Sequence, residues 1–449
     1  MVASIVDLVR QFKQGWTEQL SDAMVEKACR DVGHCWTERV LGPVMTVRLF
    51  MLQVLHGNTA MAHLPRLARM AFTAGAYCQA RARVPLKVFR LLLRRVACGL
   101  ESETLDDGRW LGHRVFFVDG STFSMPDTKP LQEEFGQPGA QQAGCGFPVA
   151  HIVGLMHFGT GMITQVLSAP LRTHDMSQTL DLHPSLQEGD VLVADRGFCS
   201  YAHLALLFTA HRHAVLRAHQ RQIVDFTPRR PHNRPGKKRK KGLPKSRWIR
   251  SLGKWDQLVE WYKPKVRPEW ISAEQYAALP DSLVVRELRY RITRSGFRCK
   301  QITLVTTLVD DQCYSLDDLS ELYRDRWKIE TAFGHLKTTM GMDVLRAKTV
   351  DGVLKELHVF CLIYNLVRLV ILQAARRQGV PPDRISFIDA LRWLATASET
   401  DRLGNLMIIP HRPNRLEPRV RKRRPKAYRL MRRPREELRK ALAAQGDAE

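Results

Sequence analysis

The sequence predicts a mixed α/β fold, preceded by an all-helical region and interrupted by a β-rich insertion. Three observations predict it. Helical periodicity fills residues 1 to about 108, and short apolar runs bounded by Gly, Pro and Asp take over after Gly108. A long amphipathic segment then follows a basic interruption at 221–308.

Within residues 1–108, "IVDLVRQFKQGW" and "MTVRLFMLQVLHG" carry apolar positions at helical spacing. "YCQARARVPLKVFRLLLRRV" adds a basic helical surface through Arg81, Arg83, Lys87, Arg90, Arg94 and Arg95. That surface reads either as a docking face for DNA or as the solvated side of a packing helix. Residues 109–220 form the first part of an α/β layer. "RVFFVDGS" (114–121), "VAHIVGLMHF" (149–158) and "MITQVLSAP" (162–170) read as consecutive strands. A helix near 176–187, the strand "DVLVADRGF" from 190, a helix near 200–211 and the strand "HAVLRA" complete a β-β-β-α-β-α-β order. The interruption at 221–308 opens with a Pro-rich basic stretch and ends in β-patterned "SLVVRELRYRI" and "CKQITLVTTLVD". It reads as a domain inserted into a fold, because the outer pieces need one another to complete a layer. Residues 309–378 supply the second part of that layer, and 379–449 form a C-terminal region with a basic tail.

With 449 residues the chain has length for two or three domains and a sizeable core. Its formal net charge is +25, unevenly spread. Residues 228–254 hold twelve Lys/Arg and no acid, among them Lys237, Lys238, Arg239, Lys240 and Lys241, and 411–435 hold twelve against Glu417 alone. Such concentrated charge favours a polyanion, most simply nucleic acid. Nine cysteines without a CxxC pair, and no signal-peptide pattern at the start, point to a reducing cytoplasm. The longest apolar run, 359–375, contains Asn365 and Arg368 and reads as a core helix, so no membrane partner is expected. The absence of GxxxxGK[ST] speaks against a nucleotide cofactor, that of GxSxG against a nucleophile elbow, and no zinc spacing surrounds His203, His211 and His213.

The chemistry concentrates in "ELYRDRWKIETAFGHLKTTMGMD" at 321–343. At about 100° per residue, Tyr323, Arg326, Glu330 and Lys337 fall at roughly 0, 300, 340 and 320° of one helix and share a face. Leu322, Ile329, Phe333, Leu336 and Met340 gather in an adjoining stripe that anchors it in a core. Asp119 ends the run "VFFVD" and Asp195 ends "VLVAD", so both carboxylates are expected at the C-terminal ends of strands, where α/β sheets open their sites. Together with Glu330 they make an oxygen-only donor set suited to hard divalent cations.

The strand order and these acids resemble the ribonuclease H-like fold of DDE transposases, especially bacterial insertion-sequence transposases with a Y-x2-R-x3-E-x6-K signature. That signature stands here as Tyr323, Arg326, Glu330 and Lys337, supported by "FFVDGSTFSMPDT", "VADRGFCS" and "NRLEPRVRKRRPKAY". The resemblance, over roughly 110–430, implies that Asp119, Asp195 and Glu330 are catalytic and hold two Mg2+ or Mn2+ ions. It implies that Tyr323, Arg326 and Lys337 handle DNA phosphates, with Trp327 flanking the bound end. Terminal inverted repeats and target DNA are the expected partners, and a homodimer the expected synaptic assembly. Two other readings stay open: an inactive DNA-binding relative acting as a repressor, and a ribonuclease H-like nuclease without strand transfer.

Overall fold

The computed structural model describes residues 20–103, 108–173, 175–230, 242–292, 301–396, 403–410 and 430–446. The polybasic run 237–241 and most of the basic tail, at 411–429, lie outside the described residues.

One mixed sheet of nine strands carries the architecture, in the order β3-β2-β1-β4-β5-β9-β8-β7-β6. Its first five strands are β1 (Val115–Ser124), β2 (Val149–His157), β3 (Ile163–Pro170), β4 (Val191–Ala194) and β5 (His213–Arg217). β1 runs parallel to β4, and β4 to β5, so Val118, Ala194 and Leu216 stand side by side in one row. The residues that follow them, Asp119, Asp195 and Arg217, emerge at the same end of three adjacent strands. Alternation along these strands feeds two cores. Phe117 and Val193 face one, while Phe116, Val118, Leu192 and Ala194 face the other.

The strands of the 221–308 interruption are β6 (Lys245–Gly253), within its basic stretch, then β7 (Asp256–Tyr262), β8 (Ser282–Arg291) and β9 (Gln301–Thr306). They continue the same sheet in antiparallel fashion, β9 pairing with β5 through Arg217↔Leu304. This continuity is invisible in the sequence pattern, which shows strands but not their partners.

The helical region packs on the first core instead of standing apart. Helices Pro43–Leu55 and Leu86–Glu103 share it with the long helix Val350–Gln378, which contains the apolar run 359–375. That helix is long and apolar enough to cross a membrane, yet 89% of its apolar window is buried inside the fold, which makes it a core helix. Two polar anchors fasten the layers. Lys355 Nζ donates to the carbonyls of Arg81 and Ala82 at 3.0 and 3.1 Å. Glu356, 1% exposed, accepts from the Arg346 and Ala347 main-chain N–H groups at 2.9 and 2.8 Å and from the Asn58 amide. Within the basic segment, Pro85 separates the helix Ala74–Arg83 from Leu86–Glu103.

Candidate active site

Asp119 does not end its strand. β1 continues five residues further, through Ser124, paired with β2, and only the parallel pairing to β4 stops at Val118. The acid therefore sits where β1 loses its neighbour on one side, which opens the sheet beside it. Asp195 does follow the last residue of β4 and precedes a single 3-10 turn, Arg196–Phe198.

The segment expected as one helix is two. Leu316–Asp325 starts from a capping box between Ser315 and Asp318, and Trp327–Gly334 follows, joined at Arg326. Around the joint the main chain tightens to three-residue spacing, Arg326 N–H to Tyr323 O at 3.2 Å and Ile329 N–H to Arg326 O at 3.1 Å. A π-helical turn, His335–Thr339, carries Lys337. Despite these changes of phase the apolar stripe is buried as expected: Leu322, Ile329, Phe333, Leu336 and Met340 all lie in the first core. Phe333 lies against Gly154, the β2 partner of Asp119, where a β-carbon would stand 2.9 Å from Phe333 Cζ. This close approach sets the height of the Glu330 helix above the sheet.

The polar face meets the acids directly. Tyr323 donates its hydroxyl to Asp195 Oδ1 at 2.8 Å. Arg326 donates Nη1 to Asp119 Oδ2 at 2.8 Å and Nη2 to Glu330 Oε1 at 2.6 Å, so one guanidinium bridges two carboxylates. Tyr323 and Arg326, expected on the Glu330 face as phosphate-facing groups, thus reach the acids themselves: both side chains are long enough to fold back onto the strands, and both are buried. Lys337 Nζ reaches Ser121 Oγ at 3.4 Å, two residues beyond Asp119. Trp327 stands apart, 51% exposed on the outer side of the joint.

These surroundings push the two aspartates in opposite directions. Burial raises the Asp119 carboxyl above its ordinary value, with Glu330 adding like charge, against the pull of Arg326 and the Gly120 N–H. Burial also pushes Asp195 up, but the Arg196 N–H, the Tyr323 hydroxyl, Arg326 and Arg217 outweigh it and hold this carboxyl below the ordinary range. Arg217 Nη1 lies 3.5 Å from Asp195 Oδ1 and Arg196 Nε 3.8 Å from Oδ2. Sequence reasoning missed Arg217, although the strand-end rule that found Asp119 and Asp195 also points to the arginine that closes the apolar run of "HAVLRA". Gly154 carried only the weak signal of a glycine inside a strand.

Three carboxylates from β1, the end of β4 and the helix, each with part of its side chain open to solvent, suit a hard cation in donor chemistry. The space between Asp119 and Glu330 is taken by Arg326. On the helical region, Arg81 is buried, donating to Gln53, and Arg95 is paired with Asp31. Arg83, Lys87, Arg90 and Arg94 are exposed, the last three at the i, i+3, i+7 spacing of a single helix face.

Residues 110–366 match the family model described as a transposase DDE domain. Over 378 residues the chain is 25% identical to the transposase InsG for insertion sequence element IS4 of Escherichia coli (strain K12), covering 79% of this chain and 77% of that protein. A putative transposase InsZ of the same organism is 27% identical over 135 residues, 30% of this chain and 44% of that protein. A piggyBac transposase synaptic complex with hairpin DNA is similar at a TM-score of 0.42 and 11% identity, covering 88% of this chain and 80% of that one. The matched span contains Asp119, Asp195 and the whole Tyr323–Lys337 segment, and the chain belongs to the DDE transposase family, as an insertion-sequence transposase that cuts and joins DNA.

Proposed function

We infer that Asp119, Asp195 and Glu330 are the catalytic acids of this transposase and that the segment 321–343 assembles its reaction centre. The observation that supports this most is the convergence of Tyr323 and Arg326 on all three acids at one end of β1 and β4. The order β3-β2-β1-β4-β5 supports a ribonuclease H-like arrangement, with 221–308 as an insertion. The boundaries at 108, 220, 308 and 378 divide helical, catalytic, inserted and C-terminal parts.

DDE transposases depend on divalent metal in general. In this chain the two aspartates and Glu330 would hold Mg2+ or Mn2+, two ions per site, which supply Lewis acidity for in-line phosphoryl displacement. The chain's own residues do the rest. Tyr323 orients Asp195, and burial together with Glu330 keeps Asp119 basic enough to compete for a proton or a cation. Lys337, near Ser121, is placed to meet a phosphate as a point charge, and Trp327 to flank a DNA end. Element ends and target DNA would lie along the exposed stripe Arg83, Lys87, Arg90 and Arg94 and the basic segments, with two chains joined in the synapse.

Duplexes made from the DNA flanking the coding region, incubated with the full chain and Mg2+, test the reading. Asp119→Ala, Asp195→Ala and Glu330→Ala should each lose cleavage and joining by at least about 10³-fold, several kcal/mol of transition-state stabilisation, while end binding persists. Near-wild-type cleavage by any of them removes that residue from the trio. Cut but unjoined wild-type products would leave a nuclease, and binding alone a repressor.

A further inference from the structure

We propose that Arg326 is a positioning residue that closes the acid cluster until DNA draws it away, so that its guanidinium and a divalent cation exclude one another at Asp119 and Glu330. This rests on the reading of the three acids as the cation-holding set. The bridge is direct: one Nη on each carboxylate, at 2.8 and 2.6 Å. A cation such as Mg2+ holds oxygens at about 2.1 Å, which places neighbouring ligand oxygens roughly 3 Å from each other. A planar guanidinium between Asp119 and Glu330 keeps them from that approach. Accordingly, among the described residues no group of three His, Cys, Asp or Glu side chains is arranged to hold an ion.

Two further observations separate this bridge from an ordinary structural salt bridge. The Arg326 Nε is buried without a hydrogen-bond partner, so the guanidinium is held by its two ends while one buried donor goes unused. Arg326 is also the joint between two helices, where a small backbone rotation redirects the side chain. Tyr323 holds Asp195 independently, so releasing Arg326 frees Asp119 and Glu330 without dismantling the third ligand. A phosphate oxygen pair accepts two parallel N–H bonds from a guanidinium and would also offer a partner to a donor that now has none. DNA that takes Arg326 therefore favours cation binding, and the cation, repelling the guanidinium, favours DNA in return.

Mn2+ binding to the full chain without DNA, followed by electron paramagnetic resonance, tests the exclusion in wild type, Arg326→Gln, Arg326→Lys and Glu330→Gln. Arg326→Gln should bind Mn2+ about tenfold more tightly than wild type, because a like charge a few ångströms from the ion is gone. Arg326→Lys keeps the charge but loses the two-armed bridge, should bind a few-fold more tightly, and carries the test should circular dichroism show Arg326→Gln unfolded. Folded variants that bind no more tightly than wild type, with Glu330→Gln binding more weakly, overturn the exclusion and leave the acids as ligands. Equal binding by Arg326→Gln with and without an added Glu330→Gln overturns the acid assignment and the exclusion with it.

Discussion

Replacing Tyr323 by Phe removes a single hydroxyl from a side chain that is 5% exposed, so the packing of the ring is retained. The lost bond is the 2.8 Å donation to Asp195 Oδ1. A hydrogen bond to a charged group contributes about 1.5–3 kcal/mol. The Asp195 side chain is 30% exposed and Arg217 lies 3.5 Å from the same oxygen, so water and that cation recover part of it. A net loss of about 1 kcal/mol corresponds to roughly a fivefold change in a rate or equilibrium constant. The sign follows from the direction of the native shift. Asp195 lies below the ordinary carboxylate range, its donors keep it ionised to lower pH, and removing one donor lets its pKa rise. At subsaturating Mg2+, where proton and cation compete for the carboxylate, the acid limb of single-turnover cleavage should move to higher pH, with a roughly fivefold slower plateau. An unmoved limb and plateau would show that the hydroxyl contributes nothing at Asp195, and a limb moving to lower pH would mean that another group controls it.

Gly154→Ala should push the Phe333 ring and the Glu330 helix outward by a few tenths of an ångström, lowering the cleavage rate about tenfold while DNA affinity measured by titration stays unchanged. Glu356→Ala leaves the Arg346 and Ala347 amides without their acceptor and should cost about 2–5 kcal/mol in urea unfolding, part of it regained in Glu356→Gln. Neutralising Lys237, Lys238, Arg239, Lys240 and Lys241 should weaken binding to all DNA sequences alike and flatten the dependence of affinity on log salt by up to about 4, read from titrations over a salt series.

Much of this arrangement was written in local pattern. Apolar runs marked β1, β2, β4 and β5 because these strands feed both cores, and the stripe Leu322 to Met340 marked the helix that covers them. Asp119, Asp195 and Glu330 stood out because the end of an apolar run and a helical face are short-range features, although β1 runs on past Asp119. The break at Arg326 was not, since no Pro or Gly announces it, and the bridge to Asp119 joins side chains 207 residues apart. Nor could periodicity show that β1 outlasts its parallel partner, which depends on where β4 ends and not on β1 itself.

The antiparallel pairing of β5 with β9 bears on how freely this chain can vary in length. Ala218 N–H donates to Thr303 O at 2.9 Å, so the chain leaves the sheet and re-enters it one strand away, at neighbouring points. Topologically, β5 and β9 are the two arms of a hairpin, and the chain between them returns to pair β8, β7 and β6 along the far edge of β9. A turn of a few residues would close the same gap. The link from β5 to β6 can therefore lengthen, shorten or be exchanged without shifting the register of Asp119 and Asp195, which makes it the natural place for relatives to differ in size and for an engineered module to be grafted.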